Sequence, residues 1–250
     1  MNPEQMTPAA SQKATGPTTR RPIVTIDGPA GAGKSTVARH LARHFGLLNL
    51  ETGAMYRAFA LKAIRENVGL EDAAGLLALS AATTIRLEPA AESNRVFLDG
   101  VDVTGELREP VVTDGASKVS VHPQIRAWMV RLQQELGAAG GVVMEGRDIG
   151  TVVFPKADVK IFLDAAPEVR GLRRYEQIGQ MDPAAEVHPQ SVIRELRARD
   201  DRDRNRADSP LKPAEDAVLL DSTRMTLEEV VARAEAIVAE KLAIRPSPRP

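Results

Sequence analysis

Two periods alternate along the chain. Short runs of β-branched and other apolar residues occupy 23–27 (Ile-Val-Thr-Ile-Asp), 47–50, 142–145, 159–163 and 217–220. Such short, mostly apolar runs predict strands buried on both faces of a parallel sheet. Between them the spacing lengthens to that of a helix. Val37, Ala38, Leu41, Ala42 and Phe45 recur on one face until Gly46 supplies a stop. Further helices are predicted over roughly 54–67, with Thr52 as N-cap, over 72–82 and 125–136, from Pro167, over about 191–206, and over 226–242. One stretch breaks the alternation. Thr83–Leu87 and Arg95–Leu98 read as strands, and Asp99-Gly100 before Val101 is a hairpin turn signal, so 83–125 reads as an insertion carrying a small antiparallel piece. The remaining order of strands and helices predicts a three-layer α/β domain with a five-stranded parallel sheet, whose ligands sit at the carboxyl ends of the strands.

The first strand runs into Gly28-Pro29-Ala30-Gly31-Ala32-Gly33-Lys34-Ser35-Thr36, which satisfies the P-loop pattern G-x-x-x-x-G-K-[ST] at every fixed position. A strand, a glycine loop and a helix in that order aim backbone N–H groups and a helix N-terminus at a phosphate chain. Lys34 is placed to reach the β- and γ-phosphates, and the Ser35 hydroxyl to ligate Mg²⁺. The loop implies a bound nucleoside triphosphate but not its use.

Composition narrows the class. The 250 residues suffice for one elaborated α/β domain, and a net charge of −1 argues against a mainly nucleic-acid-binding protein. Cysteine is absent, which excludes disulfides, thiolate metal sites and a thiol nucleophile. No apolar run reaches the roughly 20 residues of a membrane span, and the N-terminus lacks the apolar core of a signal peptide. A cytoplasmic enzyme is the default expectation, and a monomer the default state. Residues 1–20 and 244–250, rich in Pro and lacking periodicity, are expected to be disordered tails around a single domain at 21–243. His40 and His44, four apart on the P-loop helix, are read as facing solvent or packing, not as a metal site.

Arginine decides the rest. From Arg194 to Asp208 there are six arginines against five acids, too closely neutralised for a surface that tracks nucleic-acid phosphates. A solvated helix laced with ion pairs is one reading. Fixed guanidiniums held by carboxylates over nucleotide phosphates is the other, and on a helix Arg199, Asp203 and Arg206 share one face. Arg147 and Asp148 follow the third core strand, and Thr52 and Arg57 follow the second.

Taken together, the P-loop, Thr52-Gly-Ala-Met-Tyr-Arg57, Glu145-Gly-Arg-Asp-Ile-Gly-Thr-Val-Val-Phe-Pro155 and Arg199-Asp-Asp-Arg-Asp-Arg-Asn-Arg206 resemble bacterial cytidylate kinases from about Pro22 to Leu242. The resemblance implies a P-loop kinase fold with a monophosphate-binding insertion at 83–125 and a short lid at about 171–206. It implies ATP with Mg²⁺ as donor and CMP or dCMP as acceptor. By motif match, Gly28 to Thr36 hold ATP. Thr52, Arg57, Ser117, Arg126, Arg147, Asp148, Arg199, Asp203 and Arg206 hold the monophosphate, and Lys34, Arg147, Arg199 and Arg206 act in catalysis. Thr52 stands where relatives have Ser, and Glu145 where a relative has Asp. A phosphate monoester is already ionised near pH 7, so such a reaction asks for Lys, Arg and Mg²⁺ rather than a general base. A small-metabolite kinase of the shikimate or gluconate type would instead need a carboxylate to orient a hydroxyl. A P-loop switch would carry a motif of the N-K-x-D type, which is absent here.

Overall fold

The structure is a computed structural model that describes residues 20–88, 90, 94–181 and 187–243. The tails expected at 1–20 and 244–250 lie outside the described residues, apart from Arg20. The elements in chain order are β1 (Ile23–Asp27), α1 (Lys34–Phe45), β2 (Leu48–Glu51), α2 (Thr52–Arg65), α3 (Ala73–Ala81), β3 (Ile85–Glu88), β4 (Arg95–Leu98) and β5 (Val101–Asp102). After them come α4 (Pro110–Val119), α5 (Pro123–Gly137), β6 (Val142–Gly146), β7 (Val159–Asp164), α6 (Pro167–Met181), α7 (Pro189–Asn205), β8 (Val218–Asp221) and α8 (Leu227–Ala243).

The main sheet has the order β2-β6-β1-β7-β8, and every pairing in it is parallel. β1 lies at its centre, with Ile26 opposite Glu145 and Asp27 opposite both Gly146 and Phe162. All five residues of β1 and of β6 are buried, which explains their mostly apolar sequences. Helices cover both faces. α1 and α8 pack Leu41, Val37, Ala234 and Val238 against Val24, Ile26 and Ile161. On the other face Met55, Phe59, Ile125 and Met129 pack against Ile23, Val142 and Met144. The result is the three-layer arrangement that the alternation predicts. Consecutive strands β1 and β2 are separated by β6, whereas β7 lies on the far side of β1, so the chain reverses direction of travel around β1. The carboxyl end of β1 is therefore the crevice where ligands bind in such sheets.

The antiparallel piece is a three-stranded sheet, β3-β4-β5. Its hairpin turns on Asp99 (φ 49°) and Gly100 (φ 86°), both left-handed as that turn demands. Three local expectations need correction. α4 was not foreseen inside the 83–125 stretch. Gly115, a poor helix former, sits mid-helix because an added Cβ would lie 3.3 Å from the Ala60 Cβ of α2. Thr52 is not the N-cap of α2 but its first residue, and its hydroxyl donates to the Glu145 carbonyl at 2.7 Å. α7 ends at Asn205, and Arg206 is extended (ψ 142°), so it does not continue the face of Arg199 and Asp203. Among the described residues, no helix is long and apolar enough to cross a membrane.

Candidate active site

A cavity of about 750 Å³ opens at the carboxyl ends of β1, β2 and β6. Its floor is the glycine loop. Gly28 has φ 149°, and a Cβ there would lie 1.9 Å from the Leu163 carbonyl oxygen, so only glycine lets the loop leave the sheet at this point. Gly31 and Gly33 also have positive φ, at 75° and 93°. Gly33 precedes α1, whose start carries no side-chain cap and no acidic residue in its first turn. That leaves a helix end suited to an anion.

Lys34 is buried, and its Nζ donates to the Pro29 carbonyl at 2.7 Å. Burial, and after it the Arg147 charge, pulls its ammonium down to about 7. A phosphate chain beside it would restore the charge. Ser35 Oγ donates to Glu145 Oε1 at 2.5 Å. Burial first, and then Glu51 on the neighbouring strand, raises the Glu145 carboxyl above its usual range. Asp27, the last residue of β1, accepts from the backbone N–H groups of Ile149 (2.8 Å) and Gly150 (2.7 Å), and burial pushes it up to about 6. This carboxylate ties the P-loop strand to the π-type turn Ile149–Val153 that follows Arg147 and Asp148.

The far wall is built from arginines held by carboxylates. Arg147 Nε donates to Asp203 Oδ2 at 2.8 Å. Burial works to raise the Asp203 carboxyl, but Arg147 outweighs it and holds the group below the usual range. Arg126 donates to Asp148 and, at 3.2 Å, to the Ser120 carbonyl. Arg206 lies 3.8 Å from both Asp148 and Asp203, and its Nε donates to the Ser209 carbonyl at 2.6 Å. Arg57 pairs with Glu51. Arg199 faces the same space, its guanidinium pulled down to about 10 by burial and then by Arg147. The Ser117 hydroxyl and the Arg126 Nε are buried with no hydrogen-bond partner among the described residues. Both residues line the cavity, and a polar ligand that reached these unsatisfied groups would remove their cost.

The structure thus brings Thr52, Arg57, Ser117, Arg126, Arg147, Asp148, Arg199, Asp203 and Arg206 to the wall of the cavity that Ala30 to Thr36 also line. Gly28 and Pro29 stand behind that wall, and Pro29 reaches it only through Lys34. Sequence reasoning overlooked Asp27 and left Glu145 without a role. It also missed Tyr56, Arg108, Arg173, Arg174 and Gln177, which are among the other residues of the lining. Asp27 could have been found from its place at the end of β1, immediately before the loop. Arg173 and Arg174 carry no local signal that separates them from surface arginines. Asp148 and Asp203 both face arginines here.

A glycine loop and a cluster of fixed guanidiniums, opening on one cavity at the switch point of a parallel sheet, define a P-loop kinase. The cytidylate kinase family model matches residues 24–240. A cytidylate kinase from Pelotomaculum thermopropionicum is 51% identical over 211 residues, covering 84% of this chain and 92% of its own. One from Solibacter usitatus is 49% identical over 84% of this chain and 89% of its own, and one from Pasteurella multocida 43% over 89% and 97%. The chain belongs to the cytidylate kinase family.

Proposed function

We propose that the chain transfers the γ-phosphoryl group of ATP to CMP or dCMP, giving CDP or dCDP and ADP. The observation that carries this reading is the pairing of two anion sites in one cavity, the loop around Lys34 and the cluster of Arg147, Arg199 and Arg206. An oxygen of the acceptor phosphate forms the new bond to the γ-phosphorus while the bond from that phosphorus to the β,γ-bridging oxygen breaks. With a second pKa near 6 the acceptor is already a dianion at neutral pH, so no side chain need take a proton. The protein's work is to hold two polyanions in line and stabilise charge on the transferring group. Lys34 serves the donor side and the arginines the acceptor side. Asp203 holds the Arg147 guanidinium and Asp148 that of Arg126, which lowers the cost of ordering them when substrate arrives.

Ser117 and Arg126 offer the unsatisfied donors for a cytosine ring's O2 and N3. Each carboxylate of Asp148 and Asp203 keeps lone pairs beyond those facing arginine, which can accept from the N4 amino group. Uracil presents a carbonyl at that position, so acceptor would meet acceptor and bind poorly.

The donor set also fits a divalent metal. Ser35 Oγ and Glu145 Oε1 are hard oxygen ligands already in contact. Burial disfavours the charged form of the Glu145 carboxyl, and a cation beside it would offset that cost. Both Asp27 oxygens are taken up by backbone N–H groups, so Ser35 and Glu145 are the residues that would hold Mg²⁺. When bound, Mg²⁺ neutralises charge on the β- and γ-phosphates. The natural setting of such an ATP-fed reaction is the cytoplasm.

Phosphorus NMR of the chain with ATP, Mg²⁺ and CMP tests the reading. ADP and CDP should accumulate in equal amounts. ADP with inorganic phosphate and no CDP would overturn it.

A further inference from the structure

At the opposite end of α1 from the P-loop, three potential metal ligands meet. His40 Nε2 lies 2.5 Å from Glu235 Oε1, and His44 Nδ1 lies 2.8 Å from the same oxygen. The three ligand atoms are all within 4.8 Å of one another. The histidines are four apart, so they project from one face of α1 on consecutive turns, with ring centroids 6.2 Å apart and planes inclined by 26°. Glu235 comes from α8, at the rim of the apolar seam where Ala38, Leu41 and Ala42 pack with Ala234 and Val238. Both helices are therefore anchored by the core, and the three groups are presented on rigid supports.

We propose that His40, His44 and Glu235 form a binding site for a divalent ion of the zinc class, bridging α1 and α8. Two histidines four apart on a helix with a carboxylate from elsewhere is a zinc-binding donor set that leaves one position open. Tetrahedral bonds of about 2.0–2.1 Å place ligand atoms roughly 3.3 Å apart, so the two imidazole–carboxylate contacts of 2.5 and 2.8 Å need to spread by less than about 1 Å to admit an ion. The histidine side chains are 45% and 52% exposed, which leaves the fourth position to water and the entry path open. Imidazole selects zinc, copper or nickel over Mg²⁺, which demands oxygen ligands. The magnesium that accompanies ATP does not compete for this site. The distance along α1 from Ser35 to His40 and His44 is about 8–14 Å, so the ion sits apart from the phosphates. Its effect is to cross-link the P-loop helix to the last helix.

The test uses the full chain without an affinity tag, stripped with chelator and titrated with zinc chloride alone by calorimetry. One equivalent should bind, and zinc should raise Tm. His40→Ala, His44→Ala and Glu235→Gln should each weaken binding by about ten-fold or more and abolish the Tm shift, while CMP-dependent turnover in Mg²⁺ is unchanged. The chain has no cysteine and four histidines, so a His122→Ala/His188→Ala double variant should bind as the parent does. Cobalt in place of zinc should give the visible absorption of a four- or five-coordinate ion, lost in His40→Ala. The proposal is overturned if the parent shows no saturable binding. It is equally overturned if binding survives in His40→Ala and His44→Ala, or is lost in the His122/His188 variant.

Discussion

The cleanest energetic consequence of the structure lies behind the glycine loop. Arg170 of α6 is fully buried. Its Nε donates to the Ala165 carbonyl at 2.7 Å, and its Nη1 to the Ala30 carbonyl of the P-loop at 2.7 Å. Its Nη2 lies 2.6 Å from Asp200 Oδ2 of α7, in an orientation that makes a charge contact and not an aligned hydrogen bond. Asp200 Oδ1 accepts from the Ala30 N–H at 3.2 Å. One buried ion pair thus grips both backbone polar groups of a single P-loop residue, Ala30. Replacing Asp200 with alanine strands the Arg170 charge, and removing one partner of a buried pair costs about 3–5 kcal/mol. A chain of this size has a total stability of about 5–15 kcal/mol, so the variant should fold with Tm lowered by about 6–20 °C. Because Ala30 loses its anchor, KM for ATP should rise more than KM for CMP. Arg170→Met/Asp200→Leu removes both charges at similar volume and should recover most of the lost Tm without restoring ATP affinity. Differential scanning calorimetry and initial-rate kinetics on both variants read this out. An Asp200→Ala protein that melts within about 2 °C of the parent, with unchanged KM for ATP, would refute the reasoning.

Three further outcomes follow from the site. Lys34→Ala should abolish phosphoryl transfer while circular dichroism stays unchanged, since the proposal places Lys34 on the donor phosphates and its only hydrogen bond among the described residues runs to a loop carbonyl. Arg206→Ala should weaken CMP binding by roughly 10- to 150-fold, the equivalent of about 1.5–3 kcal/mol for a charged hydrogen bond, with a smaller effect on ATP in calorimetric titrations. Asp27 should make its own contribution to pH dependence. Its folded pKa of about 6 lies above the unfolded value of 3.8, so between those values the folded chain holds a proton that the unfolded chain has released. That contribution to stability falls as pH rises through this window and is flat above it. Asp27→Asn should remove the effect, so parent minus variant should drop by about 2 kcal/mol between pH 4.5 and 7 in urea titrations.

How much of this was legible in the sequence depends on how local each signal is. The five core strands and the P-loop are contiguous runs, and each carries its own pattern. α4 was hidden because Gly115 interrupts its apolar spacing for the sake of a close approach to Ala60, a contact between distant segments. Thr52 looked like a cap because its type fits one. Its hydroxyl is spent on a carbonyl 93 residues away, which no local rule reveals. The arginine run divided in a way that spacing alone does not decide. Arg202 pairs with Asp114 near the surface and Arg197 with Glu168 outside, whereas Asp200 and Asp203 turn inward. The same limit applies to His40 and His44, read as solvent-facing or packing residues, because their partner Glu235 lies 195 residues from His40.

The central claim is phosphoryl transfer to a cytidine monophosphate, and one comparison tests it most directly. The purified chain is assayed with ATP and Mg²⁺ against CMP, dCMP, UMP, AMP, GMP and shikimate in turn, and kcat/KM is determined for each. CMP and dCMP should give the highest values, with UMP well behind, because under the proposed placement its carbonyl would face the acceptors of Asp148 and Asp203. The two-ring bases should be rejected on size. A preference for UMP or AMP would contradict the cytidine assignment, and phosphorylation of shikimate alone would contradict transfer to a monophosphate altogether.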